Sequence, residues 1–312
     1  MKAKIMLADL VLLQMEGYLE KAMQYLEQHN DLIPVINEAK QKSTNPALYR
    51  GIVNKSIMNQ FGDRHITLRE LGQNAKDAYD TAENNKVVEF TTEAGENELT
   101  IKVRDYGKGM SPQGLIKDLL IPYNSSKFMD VDKIGEHGIG WYSIMDLAAR
   151  VEVITSKNGK LSKAVVYKSG DDWMTDIETG EGEQKGTLVI AHVDKSRTDE
   201  NTVKDSLSKF LGLVPSSEIQ ILYNGVKVNT ADSIYSYSAR IGINYKGRKD
   251  NLKISYRKKA EEKLKTIKLT QDGLFIADVE NPFPKKTLHY DFLNMCLEQG
   301  LEFWVDLPKN IG

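Results

Sequence analysis

Between residues 87 and 192 the sequence holds several short strand patterns joined mainly by turns, and this feature constrains the fold more than any other. Alternating apolar residues predict strands at Val87–Thr92 and Leu99–Arg104, with a turn-like sequence between them. Further strands are predicted at Val151–Ser156, Lys163–Tyr167 and Thr187–His192. Parallel neighbours need crossover connections, usually helices, so we expect a mixed, mainly antiparallel sheet with helices on one face. The predicted fold class is α+β, a two-layer α/β sandwich.

Helical patterns between these strands supply the second layer. A helix is predicted over Thr67–Glu83, with its first residue as N-cap and Glu70 completing a capping box. A further helix should begin after Pro112, and another should cover Ile139–Ala149. These helices would bury one face of the sheet.

The two ends of the chain differ from this central region. Residues 1–60 predict a helical arm, because apolar residues recur there at helical spacing with charged residues between them. We place the sheet domain at residues 61–232, ending with a helix over Thr202–Leu211 and a strand-turn-strand around Asn224. Residues 234–279 are rich in strand patterns and lysine, so residues 233–312 are predicted to form a second, β-rich domain or a truncated part of one.

Composition limits the function classes. Cys296 is the single cysteine, so the chain can form neither an internal disulfide nor a thiolate metal cage, and a reducing, cytoplasmic location is expected. The net charge of -2 gives no general attraction to nucleic acid or membranes. No apolar run approaches the roughly 20 residues of a membrane span, so no membrane association is predicted.

A polar stripe on the helix at residue 70 is the first candidate for chemistry. Glu70, Asn74 and Asp77 are spaced to share one helix face. Such a stripe is more often a solvated surface. Here, however, a carboxylate that can take a proton from water precedes by one turn an amide oxygen that can bind Mg²⁺.

A glycine-rich turn follows the predicted strand Leu99–Arg104. Asp105 is followed by Gly107, Gly109 and Met110. A plain turn would also contain these glycines. In the functional interpretation, the glycines let the backbone approach a flat ring closely, and Asp105 accepts a hydrogen bond from an exocyclic amine.

A second glycine-rich segment opens the predicted helix over Ile139–Ala149. Backbone N–H groups at such a helix start can bind an anion. The order Gly-x-x-Gly-x-Gly is not the dinucleotide-binding order, and the chain has no P-loop. The segment consists of Gly135, Glu136, His137, Gly138, Ile139, Gly140 and Trp141.

Taken in order, these motifs and the Gly-Thr pair at Thr187 resemble those of the GHKL superfamily: gyrase, heat-shock chaperones, histidine kinases and MutL. The resemblance covers residues 60–195 and implies the Bergerat ATPase fold. Ile134–Thr155 is most similar to the ninety-kilodalton heat-shock chaperones, whereas the Ser-Lys at Lys127 resembles the lids of MutL and MORC proteins.

The resemblance implies a role for each matching residue in binding ATP with Mg²⁺. Glu70 matches the general base and Asn74 the Mg²⁺ ligand, while Asp77 matches an acidic position of less defined role. Asp105 matches the residue that binds the adenine amine, and Thr187 the hydroxyl that supports it. The remaining matches are the wall under the base (Gly109 and Met110), the motif glycine Gly107, the phosphate cradle over residues 135–141, and the lid lysine Lys127.

The resemblance further implies an ATPase that undergoes lid closure and forms a homodimer when ATP is bound, with an unidentified protein client. A non-hydrolysing ATP-gated module and a protein kinase of the histidine-kinase type are the alternatives, although typical histidine kinases lack the base at Glu70. Nucleic-acid binding through the basic stretch Lys246–Lys268 is a third interpretation, less favoured because such runs are usually solvated surface.

Overall fold

A computed structural model describes residues 2–43, 45–57, 65–80, 85–122, 140–229, 237–245, 248–258, 263–271, 274–283 and 285–307. The chain divides into two compact units. The first contains Met1–Ser206 and Ile221–Val226, and the second contains Leu207–Gln220 and Lys227–Gly312. The predicted boundaries at residues 60 and 232 stay predictions.

The helices of the chain lie mainly in its first third. The α-helices are α1 (Leu7–Met15), α2 (Leu19–His29), α3 (Ile33–Lys42), α4 (Pro46–Ile57), α5 (Ile66–Asp77), α6 (Pro112–Gly114), α7 (Ile144–Leu147), α8 (Glu200–Leu211) and α9 (Leu288–Glu298). A π-helical segment, Leu115–Leu120, continues α6, and a 3₁₀ turn, Gly140–Ser143, precedes α7. The helical character predicted for the N-terminal region is confirmed.

A nine-stranded sheet with the order β1-β6-β5-β4-β7-β3-β2-β8-β9 forms the other layer. Its strands are β1 (Lys2–Met6), β2 (Val87–Ala94), β3 (Glu98–Asp105), β4 (Arg150–Lys157), β5 (Lys160–Ser169), β6 (Asp172–Glu181), β7 (Thr187–Asp194), β8 (Gln220–Tyr223) and β9 (Val226–Lys227). The pairs from β1 to β2 along this order are antiparallel. The predicted α+β class with a mainly antiparallel sheet is therefore confirmed.

Strand alternation defines the core of the first unit. On β3 the buried apolar residues are Leu99, Ile101 and Val103, and the residues between them are half-buried. Helix α5 supplies the buried residues Leu68 and Leu71 from the helical layer. The period-2 pattern of the strands and the helical stripe thus bury one shared face, as the sequence predicted.

Two strands of the nine-stranded sheet were not predicted. Strand β1 pairs with β6, with Ala3 opposite Ile177. The helical pattern that begins at Leu7 gives no sign that the five preceding residues are extended. Strand β6 is rich in polar residues because only one of its faces is buried, through Thr175 and Ile177, and its apolar signal is therefore weak.

The predicted capping box on α5 is wrong. The N-cap position is His65, without a side-chain cap, and Thr67 lies inside the helix and is fully buried. Glu70 instead accepts hydrogen bonds from Arg69. The helix also ends at Asp77 rather than Glu83, and the Ala78 carbonyl accepts a hydrogen bond from the Lys108 backbone N–H.

The helix predicted over Ile139–Ala149 is shorter and less regular. Ile139 lies outside the described residues, and the 3₁₀ turn is followed by only four α-helical residues. Ala148 is extended, and the Ala149 N–H donates to the His192 carbonyl of β7. The backbone there leads into strand β4, next to β7, instead of continuing the helix.

The second unit contains a five-stranded sheet with the order β10-β11-β14-β12-β13. Its strands are β10 (Tyr237–Tyr245), β11 (Arg248–Lys258), β12 (Thr266–Gln271), β13 (Leu274–Glu280) and β14 (Leu301–Leu307). The pair β12–β14 is parallel, and the others are antiparallel. The β-rich character predicted for residues 233–312 is confirmed.

Candidate functional site

A cavity of about 180 Å³ lies between α5 and the sheet of the first unit. Most of its wall is apolar, with a few polar groups, as is usual for small-molecule sites. Its lining residues are Leu71, Asn74, Ala75, Asp77, Ala78, Val103, Asp105, Lys108, Gly109, Met110, Asp118, Leu119, Trp141, Thr187 and Val189. Motifs far apart in the sequence therefore meet at one cavity.

Asp105, at the end of β3, is the buried carboxylate of this cavity. Its side chain Oδ1 accepts hydrogen bonds from the backbone N–H groups of Gly107 at 2.9 Å and Thr187 at 3.2 Å. Burial raises the pKa of Asp105 to about 6, although these two N–H groups and Arg104 act in the opposite direction. Both of these hydrogen bonds are to Oδ1, and the carboxyl group lines the cavity, where a ligand can reach it.

A pair of threonine hydroxyls connects the glycine turn to β7. The Met110 backbone N–H donates to Thr155 Oγ1 at 2.9 Å. Thr155 Oγ1 lies 3.2 Å from Thr187 Oγ1 and 3.3 Å from the Gly186 carbonyl oxygen. Both threonines are buried. The network connects Met110 through Thr155 to Thr187 of β7, whose backbone N–H also donates to Asp105.

Two glycines permit the close packing of this turn. Gly109 has a φ of +61°, and a Cβ there would lie 2.1 Å from the Ser156 carbonyl oxygen. A Cβ at Gly107 would lie 2.4 Å from the Ala78 carbonyl oxygen. Larger side chains are sterically excluded at both positions, so the requirement for glycine is local and physical.

Helix α5 carries the polar stripe to the cavity. Asn74 and Asp77 line the cavity directly. Glu70 lies one turn earlier, with Oε1 2.6 Å from Arg69 Nη2. A Cβ at Gly140 would lie 2.3 Å from Glu70 Oε2, so this glycine packs directly against the carboxylate. The end of the glycine-rich segment is thus next to Glu70.

The structure brings together Glu70, Asn74, Asp77, Asp105, Gly107, Gly109, Met110, Gly140, Trp141 and Thr187. Six predicted positions lie outside the described residues, namely Lys127, Gly135, Glu136, His137, Gly138 and Ile139. The lid resemblance at Lys127 and most of the predicted phosphate cradle therefore stay predictions.

Sequence reasoning missed the lining residues Lys108, Asp118 and Leu119 and two residues that hold the site in place. Thr155 belongs to β4 and meets Met110 only in the folded chain, 45 positions apart. Arg69 directly precedes Glu70, but adjacent helix residues usually point apart. The ion pair between them, with both side chains largely buried, could not be inferred from their spacing.

The described residues contain no group of three or more His, Cys, Asp or Glu side chains arranged to hold a metal ion. Asn74 lines the cavity, and its amide oxygen is a type of ligand that Mg²⁺ takes together with phosphates and water. Among the helices that the structure describes, none is long and apolar enough to cross a membrane.

Comparison with known proteins places similarity over the same region. Residues 65–187 match the family model described as "Histidine kinase-, DNA gyrase B-, and HSP90-like ATPase". The chaperone protein HtpG of Halorhodospira halophila is 28% identical over 166 residues, which cover 46% of this chain and 26% of that protein. HtpG of Roseobacter denitrificans is 31% identical over 157 residues, covering 43% and 25%.

A third relative is the mitochondrial heat shock protein 75 kDa of Rattus norvegicus, 24% identical over 197 residues. This match covers 56% of the present chain and 28% of the relative. The matches thus span about a quarter of the length of the curated relatives.

Proposed function

Since residues 65–187 form a GHKL ATPase domain, distantly related to the N-terminal ATPase domain of HtpG and the ninety-kilodalton heat-shock chaperones, we propose that this chain binds ATP with Mg²⁺ and hydrolyses it to drive a conformational switch. The observation that carries the proposal is Asp105, a buried carboxylate that lines an apolar cavity and whose Oδ1 is fixed by two backbone N–H groups.

Asp105 would recognise adenine. Its Oδ1 is held by the N–H groups of Gly107 and Thr187, and its Oδ2 would accept a hydrogen bond from the exocyclic amine. Guanine presents a carbonyl oxygen at the equivalent position and would be repelled. The closely packed Gly109 and the fixed Met110 would form the wall on which the flat base lies.

Glu70 would act at the other end of the nucleotide. It does not line the cavity near Asp105, and Gly140 of the glycine-rich segment packs against its Oε2. The Arg69 guanidinium holds Oε1 and so orients the carboxylate. From this position Glu70 would take a proton from the water that attacks the terminal phosphate.

Mg²⁺, when bound, would neutralise charge on the phosphate oxygens during transfer. Asn74 lies one turn after Glu70 and lines the cavity. Its amide oxygen is a ligand that Mg²⁺ accepts. Asp77, one turn further along α5, would contact the nucleotide near its base.

The switch would couple ATP binding to lid closure and homodimer formation, with a protein client as its target. The resemblance of the motifs to chaperone and MutL-type ATPases supports this part, together with the match to HtpG over a quarter of its length. A cytoplasmic location accords with the single cysteine. These assignments concern the whole protein and are proposals.

Two variants separate binding from hydrolysis. Glu70→Ala should lower the rate of phosphate release by a factor of about 10²–10⁴. Calorimetry should still detect ATP binding, because adenine is recognised at Asp105. Asp105→Asn loses charge assistance worth about 1.5–3 kcal/mol, which corresponds to roughly ten- to hundredfold weaker binding. Glu96→Ala, at an exposed turn, is the matched control and should change neither quantity.

The outcome also decides between hydrolysis and the alternatives. If the Glu70→Ala variant releases phosphate at the same rate as the wild-type chain, the assigned mechanism is contradicted. Binding without any phosphate release by the wild-type chain indicates a non-hydrolysing, ATP-gated module. Transfer of phosphate to protein rather than to water indicates a kinase.

A further inference from the structure

The side-chain hydroxyl of Tyr79, a residue that follows the end of α5, bonds to the backbone of two other segments. It donates to the Val87 carbonyl oxygen at the start of β2. It also accepts from the Val87 N–H at 3.2 Å and from the Tyr106 N–H at 2.9 Å. A tyrosine hydroxyl offers one donor and two acceptor positions. These three bonds therefore use all of those positions on backbone groups.

The hydroxyl lies where the ladder between β2 and β3 ends. The last pair of this antiparallel ladder is Val88 opposite Asp105. One step further in the same register, Val87 would lie opposite Tyr106. The Tyr79 hydroxyl takes the place of that pairing, because it accepts from one of these residues and donates to the other. The ladder thus stops at the carboxylate that lines the cavity, and the backbone leaves the sheet directly after it.

The end of α5 holds the same turn at a second point. The Ala78 carbonyl oxygen accepts from the Lys108 N–H at 2.9 Å. A Cβ at Gly107 would lie 2.4 Å from that carbonyl oxygen, so the turn and the helix end are in close contact. The Gly107 N–H in turn donates to Asp105 Oδ1 at 2.9 Å. Ala78 and Tyr79 therefore attach the turn to the helix that carries the polar stripe.

We propose that Tyr79 is a positioning residue for adenine recognition, an inference that rests on the proposed function. Its hydroxyl ends the ladder at Asp105 and so sets the direction in which the turn leaves the sheet. The same contact fixes the carboxylate relative to Asn74 on α5, which is assigned to Mg²⁺. The lining of the cavity, as far as the structure describes it, does not include Tyr79. It therefore acts through Asp105 and does not touch the base.

Tyr106 provides a matched control within the same turn. Its hydroxyl donates to Glu89 Oε2 at 2.6 Å, and the Arg104 guanidinium lies 5.2 Å from the centre of its ring. These contacts hold the side chain of Tyr106, whereas the Tyr79 hydroxyl holds its backbone N–H. Tyr106→Phe removes one hydroxyl but leaves the backbone contact in place, so it should not disturb the direction of the turn.

Calorimetry of the full chain with ATP and with GTP, both with Mg²⁺, tests the role in recognition. Tyr79→Phe should weaken ATP binding about tenfold and leave the weaker GTP binding unchanged, so the ratio of the two dissociation constants falls about tenfold. Tyr106→Phe should alter neither nucleotide. In an Asp105→Asn background, Tyr79→Phe should change ATP binding by less than about twofold, because its effect passes through that carboxylate. Circular dichroism checks that each variant folds.

Hydrogen exchange measures the contact itself and needs no ligand. The Tyr106 N–H lies beyond the last pair of the ladder, so its exchange rate reports the opening of the bond to Tyr79. This amide should be protected in the wild-type chain, and an adenine nucleotide should protect it further. Tyr79→Phe should accelerate its exchange at least about tenfold, while the amide of Ile101, inside the ladder, stays unchanged.

The possible outcomes separate this inference from the proposed function. Equal losses for ATP and GTP in Tyr79→Phe, an equal effect of Tyr106→Phe, or additive losses in the double variant overturn the positioning role. An unprotected Tyr106 amide in the wild-type chain overturns it as well, without any variant. If the wild-type chain binds no ATP, the proposed function fails and the role in recognition fails with it, although a protected Tyr106 amide would still confirm the contact.

Discussion

Nucleotide binding should weaken as the pH falls below about 6, because it requires the ionised form of Asp105. Burial raises the pKa of this carboxyl to about 6 in the nucleotide-free protein. A ligand amine favours the ionised form and so lowers the pKa again when bound. Affinity is therefore complete well above pH 6 and declines as the pH falls through the pKa of the free protein.

The size of the effect follows from the titration. With a pKa of about 6, nearly all of the carboxyl is ionised at pH 8, and only about one tenth at pH 5. The dissociation constant should rise about tenfold over this interval, equivalent to about 1.4 kcal/mol. The stability of the nucleotide-free protein should change in the opposite direction: the contribution of Asp105 is largest below its unfolded pKa near 3.8 and is lost as the pH rises through 6.

Calorimetric titration of ADP at several pH values measures this dependence. Asp105→Asn retains the shape of the side chain but does not titrate, so protonation of the ligand phosphates appears equally in both proteins. The difference between the two pH profiles isolates Asp105. Parallel profiles for the wild-type chain and Asp105→Asn would refute the reasoning, as would binding of equal strength at pH 5 and pH 8 by the wild-type chain.

Two further predictions concern the support of the site. Gly109→Ala should abolish nucleotide binding, since its Cβ would clash with the Ser156 carbonyl, whereas Gly170→Ala, at a similar φ of +62° but in open space, should leave calorimetric binding intact. Thr155→Val should lower the free energy of unfolding by about 1–3 kcal/mol in urea titrations, because the Met110 N–H loses its acceptor. Thr175→Val, which removes a buried hydroxyl with no partner among the described residues, should be neutral or stabilising; equal losses for both threonine variants would contradict this account.

The sheet and the nucleotide motifs could be predicted because their signals are local. Apolar alternation marks β3 and β7, and the glycines after Asp105 mark a turn whose close packing excludes a Cβ. The sequence also predicted that Asn74 and Asp105 serve one site, through the order of the motifs, and both line the same cavity.

The remaining features depend on contacts between distant segments. Strand β1 exists because its backbone pairs with β6, more than 160 positions away, and no local pattern reveals such a partner. Thr67 was assigned to a cap by its residue type, but packing buries it inside α5. Thr155 supports the site only because folding brings β4 next to the glycine turn, where its hydroxyl accepts from the Met110 N–H. Tertiary contacts overrode local preference in each case.

The central claim is that the cavity reads adenine through Asp105, and paired calorimetry with ATP and GTP in the presence of Mg²⁺ tests it most directly. We predict saturable, one-to-one binding of ATP. GTP should bind at least roughly ten- to hundredfold more weakly, because its ring carbonyl meets the buried carboxylate without a donor. Equal affinity for the two nucleotides, or no binding of ATP by the folded chain, would contradict the account.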